Sequence, residues 1–198
     1  MPAHPDNEGH KSPGQPPTHS QDFHIANLSA RVPDKVARGA FSTGVLVLQG
    51  ATEFVLDFVL RMNQPHQVVA RVVLPMTLVP QLIEALKANL ENYRKAFGPP
   101  PTLPAGQAPA KPPSIEDIYQ DLRIADDIMV GAYASSVMVV HTAAEFCLEF
   151  IANFYPKPVI TARVFLSVPQ VPALLHTLTQ SWQNYQAKLK QQQSPPQT

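Results

Sequence analysis

A six-residue stretch that occurs twice limits what this chain can fold into more than any other feature. The sequence EFVLDF at 53–58 recurs as EFCLEF at 145–150. A shift of about 92 positions aligns 31–97 with 123–189 without a gap, and about 21 of roughly 67 aligned positions are identical. The chain is therefore predicted to contain two copies of one small unit of about 65–70 residues.

The apolar pattern within each copy predicts three strands and then a helix. In the first copy, alternation indicates strands over 43–49, 53–60 and 67–74, and a leucine-rich stripe indicates a helix over 77–97. The second copy repeats these elements over 135–141, 145–154, 159–166 and about 169–191. The predicted fold class is α+β, with two tandem β-β-β-α repeats, each an antiparallel three-stranded meander followed by a C-terminal helix.

Proline-rich segments flank the two repeats. Most of the 22 prolines lie in the first twenty residues, in 98–113 and at the C-terminus. Such segments bury too little apolar surface to offset their chain entropy. The predicted organisation is a disordered tail (1–21), repeat 1 (22–98), a linker (99–113), repeat 2 (114–190) and a second disordered tail (191–198). Within repeat 2, Ser114–Asp117 has the pattern of a helix start.

An acidic residue and an arginine occupy matched positions in both copies. The strand lengths place Asp57 opposite Arg71 in repeat 1 and Glu149 opposite Arg163 in repeat 2. We interpret both as cross-strand, structural ion pairs. The alternative is that the arginines bind an anionic ligand.

One helix can cover only one face of each meander. The opposite face of repeat 1 carries Val55, Val59, Val69 and Val73 around the ion pair. An apolar patch of this kind requires a partner, and the other copy can provide it. We therefore expect an intramolecular pseudo-dimer, packed either sheet against sheet or by joined edge strands.

The pattern shared by the copies resembles an uncharacterised prokaryotic family, catalogued as domain of unknown function 3467. The resemblance rests on Gly-Ala-Phe/Tyr at 39–41 and 131–133, the EF-x-L-D/E-F stretch, Ala-Arg-Val-x-Leu at 70–74 and 162–166, and the later Asn-Tyr pairs. Members look like small single-copy proteins, so this chain resembles a tandem fusion. The resemblance implies no activity, because the family has no established catalytic residues. Pro80 and Pro172 depart from its usual helix entry.

The residues favour a protein that is not an enzyme. The chain lacks a Gly-rich phosphate loop, Cys-x-x-Cys, His-Glu-x-x-His and Gly-x-Ser-x-Gly. Two copies of an active site should share their chemistry, but the copies share none of the histidines His66, His141 and His176. The N-terminal histidines are irregularly spaced (His4, His10, His19 and His24), so we expect no metal and no cofactor.

A protein-binding or assembly module of unknown process is the function we expect, with a protein partner or self-association. The alternative is a weak nucleic-acid-binding protein that uses the basic, aromatic C-terminal ends of both helices, namely Arg94, Lys95, Trp182, Lys188 and Lys190. A formal net charge of +0 argues against that alternative. A small-ligand binder or an enzyme is the third possibility.

The sequence contains no apolar run of membrane-span length, and its N-terminus lacks the basic start and apolar core of a signal peptide. We therefore expect a cytoplasmic protein without a membrane partner.

Overall fold

The computed structural model describes residues 30–103, 114–154 and 156–193. The predicted tail at 1–21, most of the predicted linker and the last five residues lie outside this part of the chain. The described residues form a mixed α+β structure with these elements in order: α1 (Asp34–Ala37), β1 (Ala40–Ser42), β2 (Gly44–Gln49), β3 (Glu53–Leu60), β4 (His66–Pro75), α2 (Leu78–Phe97), α3 (Ile115–Gln120), β5 (Leu122–Ile124), α4 (Asp126–Met129), β6 (Ala132–Tyr133), β7 (Ser136–His141), β8 (Glu145–Ala152), β9 (Val159–Ser167) and α5 (Gln170–Gln193).

The two central meanders are built from matched strands. β2, β3 and β4 pair antiparallel in repeat 1, and β7, β8 and β9 do so in repeat 2. Asp57 pairs with Arg71 and Glu149 with Arg163, which is the register predicted from the sequence. A bulge follows Phe58 in one copy and Phe150 in the other.

The segment before each meander crosses to the other repeat. β1 of repeat 1 pairs in parallel with β9, so that Ala40 lies opposite Val164. β5 and β6 of repeat 2 pair in parallel with β4, so that Ala132 lies opposite Val72. Residues from both copies therefore form both sheets: sheet 1 contains β2–β6, and sheet 2 contains β1 and β7–β9.

These lead-in elements change the predicted pattern. Apart from the helix start at Ser114, the sequence predicted no helix or strand in the residues before each meander, yet they contain α1 and β1 in repeat 1 and β5, α4 and β6 in repeat 2. The strands are only two or three residues long, too short for alternation to show. The β-β-β-α description therefore covers the larger elements of each repeat and omits the smaller ones.

The long helices begin and end for local reasons. Pro80 lies in the first turn of α2, where its missing N–H has no intrahelical acceptor to lose. Gly98, at a φ of 86°, ends α2 and donates its N–H to the Arg94 carbonyl at 3.0 Å. α5 continues to Gln193, into the tail expected from residue 191, because glutamine and lysine favour helix and Pro195 is the next breaker.

Side chains from both repeats meet in one core. Phe58 and Phe150 lie at matched positions, with ring centroids 5.8 Å apart. The ring of Tyr93 in α2 lies 5.8 Å from that of Phe146 in β8. In the matched contact, the ring of Phe54 in β3 lies 6.3 Å from that of Tyr185 in α5. Each long helix packs against the other and against a strand of each repeat. The two copies thus bury together the faces that carry Phe58 and Phe150, about an axis of approximate twofold symmetry. The sequence predicted this contact on the opposite face, where Val55, Val69 and Val73 stay partly exposed.

Among the described helices, none combines the length and the apolar character needed to cross a bilayer.

Candidate functional site

The acid–arginine pairs are held at hydrogen-bond distance in both repeats. Arg71 donates from Nε and Nη2 to the two oxygens of Asp57, each at 2.7 Å, and Asp57 is fully buried. Arg163 donates from Nε to Glu149 Oε1 at 2.7 Å, and its Nη2 lies 2.5 Å from the same oxygen. The hydrogen bond to Asp57 raises the pKa of Arg71, so its guanidinium stays charged.

Each arginine also ties the two repeats together. Arg71 Nη1 donates to the carbonyl of Met129 at 3.0 Å, and Arg163 Nη1 donates to the carbonyl of Ala37 at 2.8 Å. Both carbonyls belong to the last residue of a short helix, α4 or α1, of the opposite repeat. The pairs are therefore inter-repeat clamps as well as cross-strand ion pairs.

Tyr119 is a residue of this site that sequence reasoning missed. Its hydroxyl donates to Asp57 Oδ2 from α3. Burial, and then the hydrogen bond to Asp57, raise the pKa of Tyr119, so the hydroxyl stays protonated and can donate. The aligned position of repeat 1 holds Asn27, outside the described residues, so comparing the copies gave no signal for this contact. The helix start predicted at Ser114 is present, with a capping box between Ser114 and Asp117.

A cleft of about 390 Å³ opens where the approximate twofold axis passes between β4 and β9. Matched residues of the two repeats line it, among them Arg71 with Arg163, Ala70 with Ala162, and Gly39 with Gly131. Both glycines have positive φ, 66° and 79°, which a side chain would disfavour. The cleft thus brings both clamp arginines to one concave surface.

Family membership follows from a match that covers most of the chain. The family model for Protein of unknown function (DUF3467) matches residues 5–102 and again residues 104–191. The chain belongs to the DUF3467 family. It contains two tandem copies of the domain, as the resemblance predicted. No curated protein and no solved structure matches the chain.

The basic and aromatic residues near the helix ends differ in their contacts and exposure between the two DUF3467 copies. In α2, Lys95 pairs with Glu91 at 2.9 Å, and Arg94 is exposed. In α5, Lys188 and Lys190 are exposed. Trp182 is half-buried against Phe54, at 6.5 Å between ring centroids, so its ring is used in packing. Nucleic-acid binding by these residues stays a prediction.

The histidines of the DUF3467 copies lie in separate surroundings. His141 stacks on Phe146 at 5.0 Å and has its Nδ1 3.1 Å from Asn89 Oδ1, and burial lowers its pKa. His66 bonds the carbonyl of Asn63, in a loop. The part of the chain that the structure describes contains no group of three metal-ligating side chains. The N-terminal histidines at 4, 10, 19 and 24 lie outside it.

Cys147 lies half-buried on β8. Burial raises the pKa of its thiol to about 11, so the reactive thiolate is scarce at neutral pH.

Each sheet ends in an apolar edge strand. β2 is at one end of sheet 1 and β7 is at one end of sheet 2. Neither strand contains a residue with a formal charge, nor a proline. Val140 of β7 is 37% exposed, and the matched residue of β2 is Leu48. Along their outer sides, β2 and β7 pair with no other described strand.

Proposed function

We propose that the chain is a non-catalytic protein-binding module, built as a fused pseudo-dimer, that pairs an extended segment of another protein with its edge strands. The observation that carries this proposal is the pair of uncharged edge strands, β2 and β7, one in each repeat. Two matched edges on one chain offer the same kind of binding surface twice.

Edge strands of this composition require an explanation. A free edge presents a row of backbone N–H and C=O groups, and soluble proteins usually protect it with charges, prolines, bulges or a covering helix or loop. Here α5 packs against β2 and α2 against β7, but neither helix adds a strand to the sheet. β2 contains no charged residue and no proline. The one titratable side chain of β7 is His141, which is hydrogen-bonded to Asn89 and stacks on Phe146. Main-chain pairing with a partner strand satisfies such an edge, and the alternate side chains then provide specificity.

The polar residues that the repeats share support a non-catalytic role. The matched acids and arginines bond to one another and to backbone carbonyls of the opposite repeat. A catalytic acid or base needs a proton-transfer partner in the substrate, and the two carboxylates are already bonded to the arginines. The proposal therefore assigns the two carboxylates, and their bonds with the arginines, to stability.

Lysine substitutions on the two edges test the proposal. Leu48→Lys and Val140→Lys are combined, because lysine on an edge opposes strand addition while its stem still covers apolar surface. Met62→Lys is the matched control: Met62 is 71% exposed and lies in the loop between β3 and β4. Tagged full-length chains are crosslinked in extract from the source cells, using the cytoplasmic fraction expected from the sequence, and captured proteins are quantified by mass spectrometry.

We expect a stoichiometric protein with crosslinks near β2 or β7 in the wild type and in Met62→Lys, and at least a tenfold loss in the double variant. Circular dichroism establishes that the double variant is folded. Capture that is equal in all three chains would overturn the assignment of the edges. A second copy of this chain as the captured species would replace a foreign partner with self-assembly, and light scattering would then report a larger mass.

A further inference from the structure

The cleft between β4 and β9 carries an inference that is independent of the edge strands. We propose that it binds a small molecule with two anionic groups, carboxylates or phosphates, one facing Arg71 and the other facing Arg163. Its volume of about 390 Å³ lies within the range of small-molecule sites, about 300–1,000 Å³. Both arginines line it.

Neither guanidinium is fully used by the contacts described above. Arg71 gives one N–H from each of its three nitrogens to Asp57 and Met129, and Arg163 does the same toward Glu149 and Ala37. A guanidinium has five N–H groups, so Arg163 retains one on each terminal nitrogen beyond these bonds, whereas Arg71 also interacts with the hydroxyl of Tyr119 and retains fewer. Two adjacent N–H groups on the end of a guanidinium can bind an oxyanion in a bidentate manner.

The arginines are held rigidly before any ligand arrives. Asp57 and Glu149 fix the Nε side of each guanidinium, and the helix carbonyls fix Nη1. Their side chains are 17% and 21% exposed, and both residues line the cleft. A donor that is already ordered loses less conformational entropy on binding than a flexible lysine would.

Small residues keep the cleft open. Glycine or alanine lines it at matched positions on both sides, namely Gly39, Gly131, Ala40, Ala132, Ala70 and Ala162. A Cβ on Gly131 would lie 3.0 Å from Arg71 Cγ, and one on Gly39 would overlap the ring of Phe165. Larger side chains here would push on the arginines or fill the space between them.

The charge around the cleft differs between its two ends. Lys35 of α1 lines one end, and Asp127 of α4 occupies the matched position at the other. The pairs Arg71–Asp57 and Arg163–Glu149 each carry no net charge, so the arginines offer directed N–H donors and not excess positive charge. Lys35 therefore attracts an anion and Asp127 repels it, so removing the charge of Lys35 should weaken anion binding and removing that of Asp127 should strengthen it.

Two-dimensional amide NMR on the full-length chain tests the site, with Gly39 and Gly131 as reporters. The probes are succinate and pyrophosphate, which separate carboxylate from phosphate recognition, and succinamide is the neutral control. Arg163→Lys keeps a positive charge beside Glu149 but removes the paired terminal N–H groups with which a guanidinium binds an oxyanion. Lys35→Gln removes a positive charge from the cleft. Lys95→Gln removes a positive charge from α2, which contributes no residue to the cleft lining.

We expect saturable shifts of both glycine amides with succinate or pyrophosphate and none with succinamide. Arg163→Lys should weaken binding about tenfold, Lys35→Gln should weaken it by a smaller factor, and Asp127→Asn should tighten it. Lys95→Gln should leave the affinity unchanged. Unshifted glycines with both anions would overturn the proposal. An affinity that falls equally in Lys35→Gln and Lys95→Gln would also overturn it, because it would show only general attraction of anions.

Discussion

Asp57 and Glu149 occupy the same position in the two repeats but satisfy their carboxylates differently. Both oxygens of Asp57 accept from Arg71, and one also accepts from Tyr119. In Glu149, the single oxygen Oε1 is the partner of both Nε and Nη2 of Arg163. The shorter side chain thus sits in the more completely bonded site, which agrees with its full burial. Removing a carboxylate should therefore cost more in repeat 1.

The Asp57–Arg71 pair gives the first prediction. Asp57→Ala leaves Arg71 without its charge partner, and we expect a loss of about 3–5 kcal/mol in the free energy of unfolding. The double variant with Arg71→Ala should cost less than the sum of the single ones, with a coupling of about 1–3 kcal/mol. Urea unfolding of the four proteins measures both quantities. Additive effects would show that the contact contributes no coupling.

Two glycines with positive φ provide a matched comparison. Gly39→Ala and Gly98→Ala both force a side chain to a positive φ, which costs about 1–3 kcal/mol, and the backbone of Gly98, at φ 86° and ψ −172°, lies in a region that only glycine adopts readily. A Cβ on Gly98 meets nothing within 4 Å, whereas one on Gly39 would strike Phe165. We expect Gly39→Ala to be the more destabilising by about 1–3 kcal/mol, because overpacking adds to backbone strain. Equal midpoints in urea would contradict the inter-repeat packing.

His141 gives a prediction about pH. Burial lowers its pKa below the ordinary value of 6.5, so the unfolded chain binds its proton more readily than the folded chain. Stability at this site is therefore present above pH 6.5 and is lost as the pH falls below it. His141→Gln installs the residue of the matched position, Gln49. Its melting temperature should fall less than that of the wild type between about pH 7.5 and pH 5. A parallel decline would sink the prediction.

At the scale of elements, the exchange of short strands joins the two repeats. β1 pairs with β9, and β5 and β6 pair with β4, so each repeat completes the other's sheet. Each of these strands has at most three residues and could not be stable alone. Its stability must come from the sheet that it joins.

A proline in β1 tests this dependence. Ala40→Pro removes a backbone N–H and should weaken the parallel pairing with Val164. We expect faster hydrogen exchange in β9, which belongs to the repeat without the substitution. Asp34→Pro is the control, because the first helical position of α1 tolerates proline. Exchange in β9 that is the same in both variants would contradict the role of β1.

The sequence predicted the elements whose pattern is local and long. Alternation located β3 and β4 and their register, and the leucine stripe located α2. The clamp between Arg71 and Met129, the bond from Tyr119 to Asp57, and the cleft depend on contacts between repeats. Such contacts leave no periodic signal, because residues far apart along the chain form them. The repeat itself indicated only that matched residues would have matched neighbours.

At the scale of the molecule, the shared core and the exchanged strands predict that neither repeat folds by itself. Phe58 and Phe150 pack on each other, and each long helix contacts strands of both repeats. An isolated repeat would expose this surface and lose part of its sheet. The contacts between repeats also fix the cleft, which exists only where the two copies meet.

A protease site placed in the linker tests this prediction. After cleavage between residues 104 and 113, we expect the two fragments to elute together with the mass of the intact protein and to unfold in a single transition. The reason is that cleavage removes a tether but none of the strand pairs or core contacts. The covalent linker supplies effective concentration, so the midpoint of the cut protein should depend on its concentration and that of the uncut protein should not. Each fragment expressed alone should lack a cooperative transition. Fragments that separate and each unfold cooperatively would refute the fused pseudo-dimer, and the cleft between them would then be too weakly held to bind a ligand.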